Sequence, residues 1–145
     1  MPTLNLPKAV DAERLEIDGR AGRVSYYVAG DGPPMLLVHS INAAGSVREV
    51  QPIFDHFRQS RRVYAVDLPG FGFSDRSERP YEIPLYTTAL CDMLDVIERD
   101  AGGTAIDALA LSLASEFLAR VSVDNADRFR TLALVTPTGF RAGSE

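Results

Sequence analysis

Four short apolar runs, each separated from the next by an amphipathic helical pattern, restrict what this chain can fold into more than any other feature. The runs are Met35-Leu36-Leu37-Val38, Val63-Tyr64-Ala65-Val66, Ile106 to Leu111 with Asp107 interrupting, and Leu132-Ala133-Leu134-Val135. Short runs without polar alternation suit strands covered on both faces, as in a parallel sheet. Between them, Val47, Val50, Ile53, Phe54 and Phe57 recur at helical spacing, as do Leu85, Ala89, Leu90, Met93, Leu94 and Ile97, and then Leu113, Phe117, Leu118 and Val121. Alternating strands and helices define the α/β class, with right-handed parallel crossovers.

Upstream, Glu13 to Ile17 alternates polar and apolar residues, Asp18 to Gly22 is turn material, and Arg23 to Ala29 reads as the hairpin partner. Gly30-Asp31-Gly32-Pro33-Pro34 then breaks the chain. The expectation is a mostly parallel sheet with an antiparallel N-terminal edge and helices on both faces. Thr136-Pro137-Thr138-Gly139-Phe140 follows the last apolar run, and no helical pattern follows to cover it. A sheet ending there leaves an edge and an apolar face open.

An apolar fraction of 46% supplies a core, and the net charge of −5 is spread along the chain. That distribution speaks against a nucleic-acid partner, which usually meets a basic face. The short basic cluster of Arg58, Arg61 and Arg62 reads as a solvated turn before a strand. A lone cysteine, Cys91, excludes an intrachain disulfide and a Cys-based zinc site, and its place in a helical pattern predicts a packed thiol. Met1 to Val10 holds no apolar signal-peptide core, and no stretch approaches the ~20 apolar residues of a membrane span. A soluble, cytoplasmic protein without a membrane partner is expected.

Ligands of open parallel sheets bind outside the carboxyl ends of the strands. The residues there are His39-Ser40-Ile41-Asn42, Asp67-Leu68-Pro69-Gly70-Phe71-Gly72, Ser112 and Thr136-Pro137-Thr138. Ala110-Leu111-Ser112-Leu113-Ala114 joins strand directly to helix. A nucleophile elbow needs such a sharp turn, with strain at the serine and small residues two before and two after it. The helix N-terminus beyond it favours a developing oxyanion. The plainer alternative is that Ser112 caps the helix. Asp67 and Asp75 read as turn chemistry, and Gly70 and Gly72 do not form a nucleotide fingerprint.

The stretch Leu36-Leu37-Val38-His39-Ser40, the segment Asp67 to Asp75 with its Asp-x-x-Gly-x-Gly-x-Ser pattern, and the small-x-Ser-x-small turn occur in this order. Together they resemble the α/β-hydrolase superfamily, closest to the branch with a helical lid after the sixth strand: esterases, epoxide hydrolases, haloalkane dehalogenases and carbon–carbon bond hydrolases. The resemblance implies Ser112 as nucleophile, with the backbone N–H groups of Leu113 and Ile41 as oxyanion donors and His39, Ser40 and Asn42 lining the site. Serine in place of aspartate points away from the dehalogenase and epoxide-hydrolase chemistries. This chain departs from the family in having Ser40 where His-Gly is usual and alanines where the elbow usually has glycines. The domain reading is an N-terminal extension over residues 1–12, the N-terminal half of a core domain over 13–140, and the start of a lid or linker over 141–145.

In this fold the acid and histidine of a triad follow the serine. No histidine follows Ser112, and none of the acids Glu116, Asp124, Asp127 and Glu145 reads as placed at a strand end. His56 reads as a solvated helix position, and the resemblance assigns His39 to shaping the oxyanion loop. The expectation is therefore a serine hydrolase acting on a small-molecule ester, thioester or activated carbon–carbon bond. Its acid and histidine would come from a C-terminal half or a second chain completing the sheet, and no metal or organic cofactor is implied. The alternative is a non-catalytic fragment or small-molecule binding module that keeps the fold.

Overall fold

The computed structural model describes residues 5–138. Expectations for 1–4 and 139–145, including the lid or linker start, lie outside the described residues. The elements are β1 (Glu13–Gly19), β2 (Gly22–Ala29), β3 (Pro34–Val38), a 3-10 turn (Val47–Val50), α1 (Gln51–Phe57), β4 (Arg62–Val66), α2 (Ile83–Ala101), β5 (Ile106–Leu111), α3 (Ala114–Asp124), a second 3-10 turn (Ala126–Arg128) and β6 (Phe129–Val135). All six strands join one sheet in the order β1-β2-β4-β3-β5-β6. β1 and β2 form an antiparallel hairpin, β2 meets β4 antiparallel, and β4, β3, β5 and β6 run parallel. The expected mixed sheet with its antiparallel N-terminal edge is present.

Strand alternation decides which face each apolar residue serves. Leu36 and Val38 of β3, with Tyr64 and Val66 of β4, pack against α2 and α3. Met35 and Leu37, with Val63 and Ala65, pack against Val47, Val50 and Phe54 on the other face. This two-sided coverage explains why these runs lack polar alternation. The expected helices lie on both faces, although the first stripe divides between a 3-10 turn and a short α1, with Pro52 in the first turn of α1. Residues before β1 also join the core. Val10 is buried, and the Ala9 amide donates to the Tyr27 hydroxyl at 3.1 Å.

The basic cluster requires a correction. Arg61 is not simply solvated, since it ion-pairs with Asp107, the polar interruption in β5. Asp107 also accepts from Arg130 Nε at 3.0 Å and the Thr131 hydroxyl at 2.6 Å. Parallel pairing brings the amino ends of these strands together, a proximity invisible in local composition. The Arg130 hydrogen bond is the chief cause that holds the Asp107 carboxyl below the usual carboxylate range, with Thr131 and Arg61 adding to it. β6 begins at Phe129, three residues before its apolar run, because this anchorage extends the pairing.

β1 and β6 are the edge strands among the described residues, and Leu132 and Val135 of β6 are exposed. Cys91 is half-buried in α2, where burial pushes its thiol pKa up. Among the described residues, no helix is long and apolar enough to cross a membrane.

Candidate functional site

The sheet brings the loops after β3 and β5 side by side. Val38 pairs with Ala110 in the parallel ladder, so Ser40 and Ser112 each stand two residues beyond the same register point. Parallel strands lie about 4.8 Å apart, which sets these loop starts as neighbours.

Ser112 has φ of 52°, left-handed backbone that a non-glycine residue rarely adopts. Its amide donates to the Val135 carbonyl on β6 at 2.9 Å, and its carbonyl accepts from the Ser115 amide at 3.0 Å. The Ser115 hydroxyl reaches back to the Ala110 carbonyl at 3.2 Å. Ala110 and Ala114 are fully buried on either side, leaving little space for larger side chains. The capping alternative fails locally, because Leu113 occupies the cap position of α3 and no side chain caps this end. Ser112 is half-buried, and α3 presents its first amides beside it. Tyr86 of α2 stacks on Phe117 of α3 with centroids 4.7 Å apart, tying the two helices together.

The loop after β3 is built differently. His39 is fully buried and both of its ring nitrogens engage backbone. The Leu68 amide donates to Nε2 at 3.0 Å, so Nε2 carries the lone pair and Nδ1–H donates to the Ser40 carbonyl at 2.7 Å. Burial lowers the His39 pKa and favours this neutral ring. With Nε2 occupied, His39 has no free lone pair to offer Ser112. His56, the other histidine, is exposed on α1.

Asp67 ties the neighbouring loop. Its buried carboxylate accepts from the Val47 amide at 3.1 Å and the Phe73 amide at 3.1 Å. Burial pushes its pKa up, and these two amides pull against that shift. Gly72, at φ 51°, lies where a Cβ would collide with this carboxylate. Asp75 accepts from the Ser77 amide at 2.7 Å. Both aspartates therefore perform the loop chemistry expected of them.

Ser40 adopts no left-handed backbone, so its position does not require glycine. Its hydroxyl donates to Glu49 Oε2 at 2.8 Å and accepts from Asn42 Nδ2 at 2.7 Å. Asn42 is exposed, and its Oδ1 accepts from the Ala44 amide at 3.0 Å. The polar side chains of Ser40 and Asn42 thus build the loop itself, with half-buried Ile41 between them. A cavity of about 430 Å³, whose walls include Tyr27, Ile41, Phe71 and Phe73, opens beside this loop and does not reach Ser112.

Two contributors escaped the sequence reading, Glu49 and Ser115. Ser46-Val47-Arg48-Glu49 has the spacing of a helix capping box. Ser46 does cap the 3-10 turn, accepting from the Arg48 amide at 3.2 Å, but the Glu49 carboxylate turns to Ser40 and Asn42. That spacing was a legible signal for a turn, though not for this partner. Ser115 carried no signal beyond its closeness to Ser112.

The fold and its carboxyl-end loops define an α/β-hydrolase framework. Residues 33–143 match the alpha/beta hydrolase fold family, and the chain belongs to it. The chain is 25% identical over 141 residues to a 2-hydroxymuconate semialdehyde hydrolase from a Pseudomonas species, covering 94% of this chain and 47% of that protein. It thus spans about half the length of that curated relative. A serine hydrolase involved in carbazole degradation superposes with a TM-score of 0.71 at 25% identity, covering 88% of this chain and 50% of the other. A haloalkane dehalogenase from Agrobacterium tumefaciens superposes with a TM-score of 0.76 at 20% identity, covering 87% and 41%, a likeness of fold alone.

Proposed function

We propose that this chain carries the nucleophile and oxyanion half of a serine hydrolase acting on a small-molecule ester or activated carbon–carbon bond. The observation that carries the reading is the left-handed backbone of Ser112 on an uncapped strand-to-helix turn, level with the loop bearing Ile41. Strain of about 1–3 kcal/mol at a serine persists only where surrounding structure enforces it, and such residues cluster at active sites. Ser112 Oγ would attack a carbonyl carbon as its proton passes to a base. The Leu113 and Ile41 amides would hold the resulting oxyanion, whose collapse expels the leaving group and leaves an acyl-serine for water to hydrolyse.

The base and its orienting acid would come from residues outside these 145, because His39 engages backbone through both nitrogens and His56 lies on exposed α1. The hydrolase relatives at 25% identity support this class of reaction. The same histidine geometry favours a second reading, a module that binds a small molecule without turning it over.

Labelling of the full-length protein with a fluorophosphonate probe tests the proposal. Covalent labelling that Ser112→Ala abolishes is expected. Equal labelling of the variant overturns the assignment, and tight binding of a small ligand without turnover would favour the second reading.

A further inference from the structure

We infer that Glu49 is a positioning residue for the Ile41 amide, acting through Ser40 and Asn42. The inference rests on the oxyanion role proposed above and extends it to a residue outside the site loops. Ser40 C=O and Ile41 N–H belong to one peptide plane, and in a trans peptide they point in opposite directions. Whatever fixes the Ser40 carbonyl therefore also aims the Ile41 amide. His39 fixes that carbonyl from one side, with Nδ1–H donating at 2.7 Å.

A single hydrogen bond does not prevent the plane from rocking about the flanking φ and ψ angles. Glu49 supplies the remaining restraint. Its Oε2 accepts from the Ser40 hydroxyl at 2.8 Å and from Asn42 Nδ2 at 3.3 Å, and its Oε1 accepts from the Ser40 amide at 3.4 Å. Asn42 Nδ2 also donates to the Ser40 hydroxyl at 2.7 Å. The residues immediately before and after Ile41 are thus joined to one carboxylate. Glu49 itself is carried on a 3-10 turn whose Val47 and Val50 are fully buried, so the anchor has a fixed base. Serine at position 40, where the family usually has glycine, supplies the hydroxyl that makes this hold available. Hydrogen bonds to an ionised acceptor are the shorter and stronger kind.

The test uses the full-length protein with Glu49→Ala, Glu49→Gln, Ser40→Gly and the Ser40→Gly/Glu49→Ala double variant. It has two readouts, the rate of fluorophosphonate acylation and hydrogen exchange of the Ile41 amide. Removing one oxyanion donor outright costs on the order of 10²–10³ in rate, so a donor left in place but loosened should lose about tenfold. We expect that loss for Glu49→Ala, in kcat with KM unchanged for any ester substrate, together with roughly tenfold faster Ile41 exchange. Glu49→Gln keeps an acceptor for the Ser40 hydroxyl and should recover most of the rate. The double variant should lose less than the two single losses combined, because the shortest Glu49 contact runs through the Ser40 hydroxyl, while its contacts to Asn42 and to the residue-40 amide survive Ser40→Gly.

Wild-type acylation and Ile41 exchange in Glu49→Ala, or a fully additive double variant, would overturn the inference. An unlabelled wild-type protein would sink the hydrolase reading separately. Ile41 exchange then still decides whether Glu49 holds the loop, with faster exchange supporting that hold and unchanged exchange overturning it.

Discussion

The loops after β3 and β5 stand side by side at one end of the sheet, yet they are held by different means. The β3 loop is woven from polar side chains: His39 is buried against backbone, Asp67 of the loop after β4 accepts from the Val47 amide, and Ser40 and Asn42 are joined to Glu49. The β5 loop is held chiefly by topology. Ser112 is pinned through its backbone to β6, small alanines let strand and helix close on each other, and no side chain caps the helix. The contrast fits their proposed tasks. A passive donor must be immobilised, whereas a nucleophilic hydroxyl must remain free to gain a base. β5 repeats the contrast within one strand, since its first residues are locked by the Asp107 cluster and its last lead into the strained elbow.

Removing the polar anchorage should produce the largest effect. Asp67→Ala leaves the Val47 and Phe73 amides without their acceptor, and roughly 3 kcal/mol of stability should be lost in denaturant unfolding. A loss below that of an ordinary surface substitution would show that water replaces the carboxylate.

The other end of β5 comes next. Asp107→Asn should cost about 2 kcal/mol at neutral pH, since hydrogen bonds to a charged acceptor are weakened together. The folded-state pKa of Asp107 is depressed, so its contribution is complete above the unfolded carboxylate value of about 3.9 and declines as pH falls below it. The melting-temperature gap between wild type and Asp107→Asn should therefore narrow in acid, and a gap that widens would contradict the assignment. Ser112 labelling at neutral pH should be unaffected.

At the elbow, where packing replaces polar contacts, Ala114→Val should cost about 1–2 kcal/mol by overfilling a closed contact. Full tolerance in a thermal melt would mean that the turn is looser than its burial indicates. The smallest effect should have the opposite sign. Ser112→Gly relieves left-handed strain and should raise stability by roughly 0.5 kcal/mol, after glycine's own entropic cost. A destabilised Ser112→Gly variant would erase the distinction between the two loops.

Much of this is legible in the sequence. The alternation in the first hairpin, the four apolar runs and the three helical stripes marked the strands and α-helices to within a few residues, though not the 3-10 turn Ala126–Arg128, because strand and helix periodicities are local properties. The Ser112 turn was legible for the same reason, since small residues on both sides of a serine announce a close strand–helix approach. The fate of Arg61 was not legible, because Asp107 lies far along the chain and only parallel pairing brings them together. Glu49 was hidden by a spacing that reads equally well as a capping box.

The sequence by itself determined the α/β class, the antiparallel edge, the two-sided burial of the central strands and the turn on which Ser112 sits. The tertiary structure alone decided that His39 is neutral with both nitrogens engaged and that the Glu49 carboxylate turns to the Ser40–Asn42 loop. The division follows the range of the forces involved. Hydrophobic periodicity and turn chemistry act between residues a few positions apart, whereas a hydrogen bond joins whatever donor and acceptor the completed sheet sets about 3 Å apart.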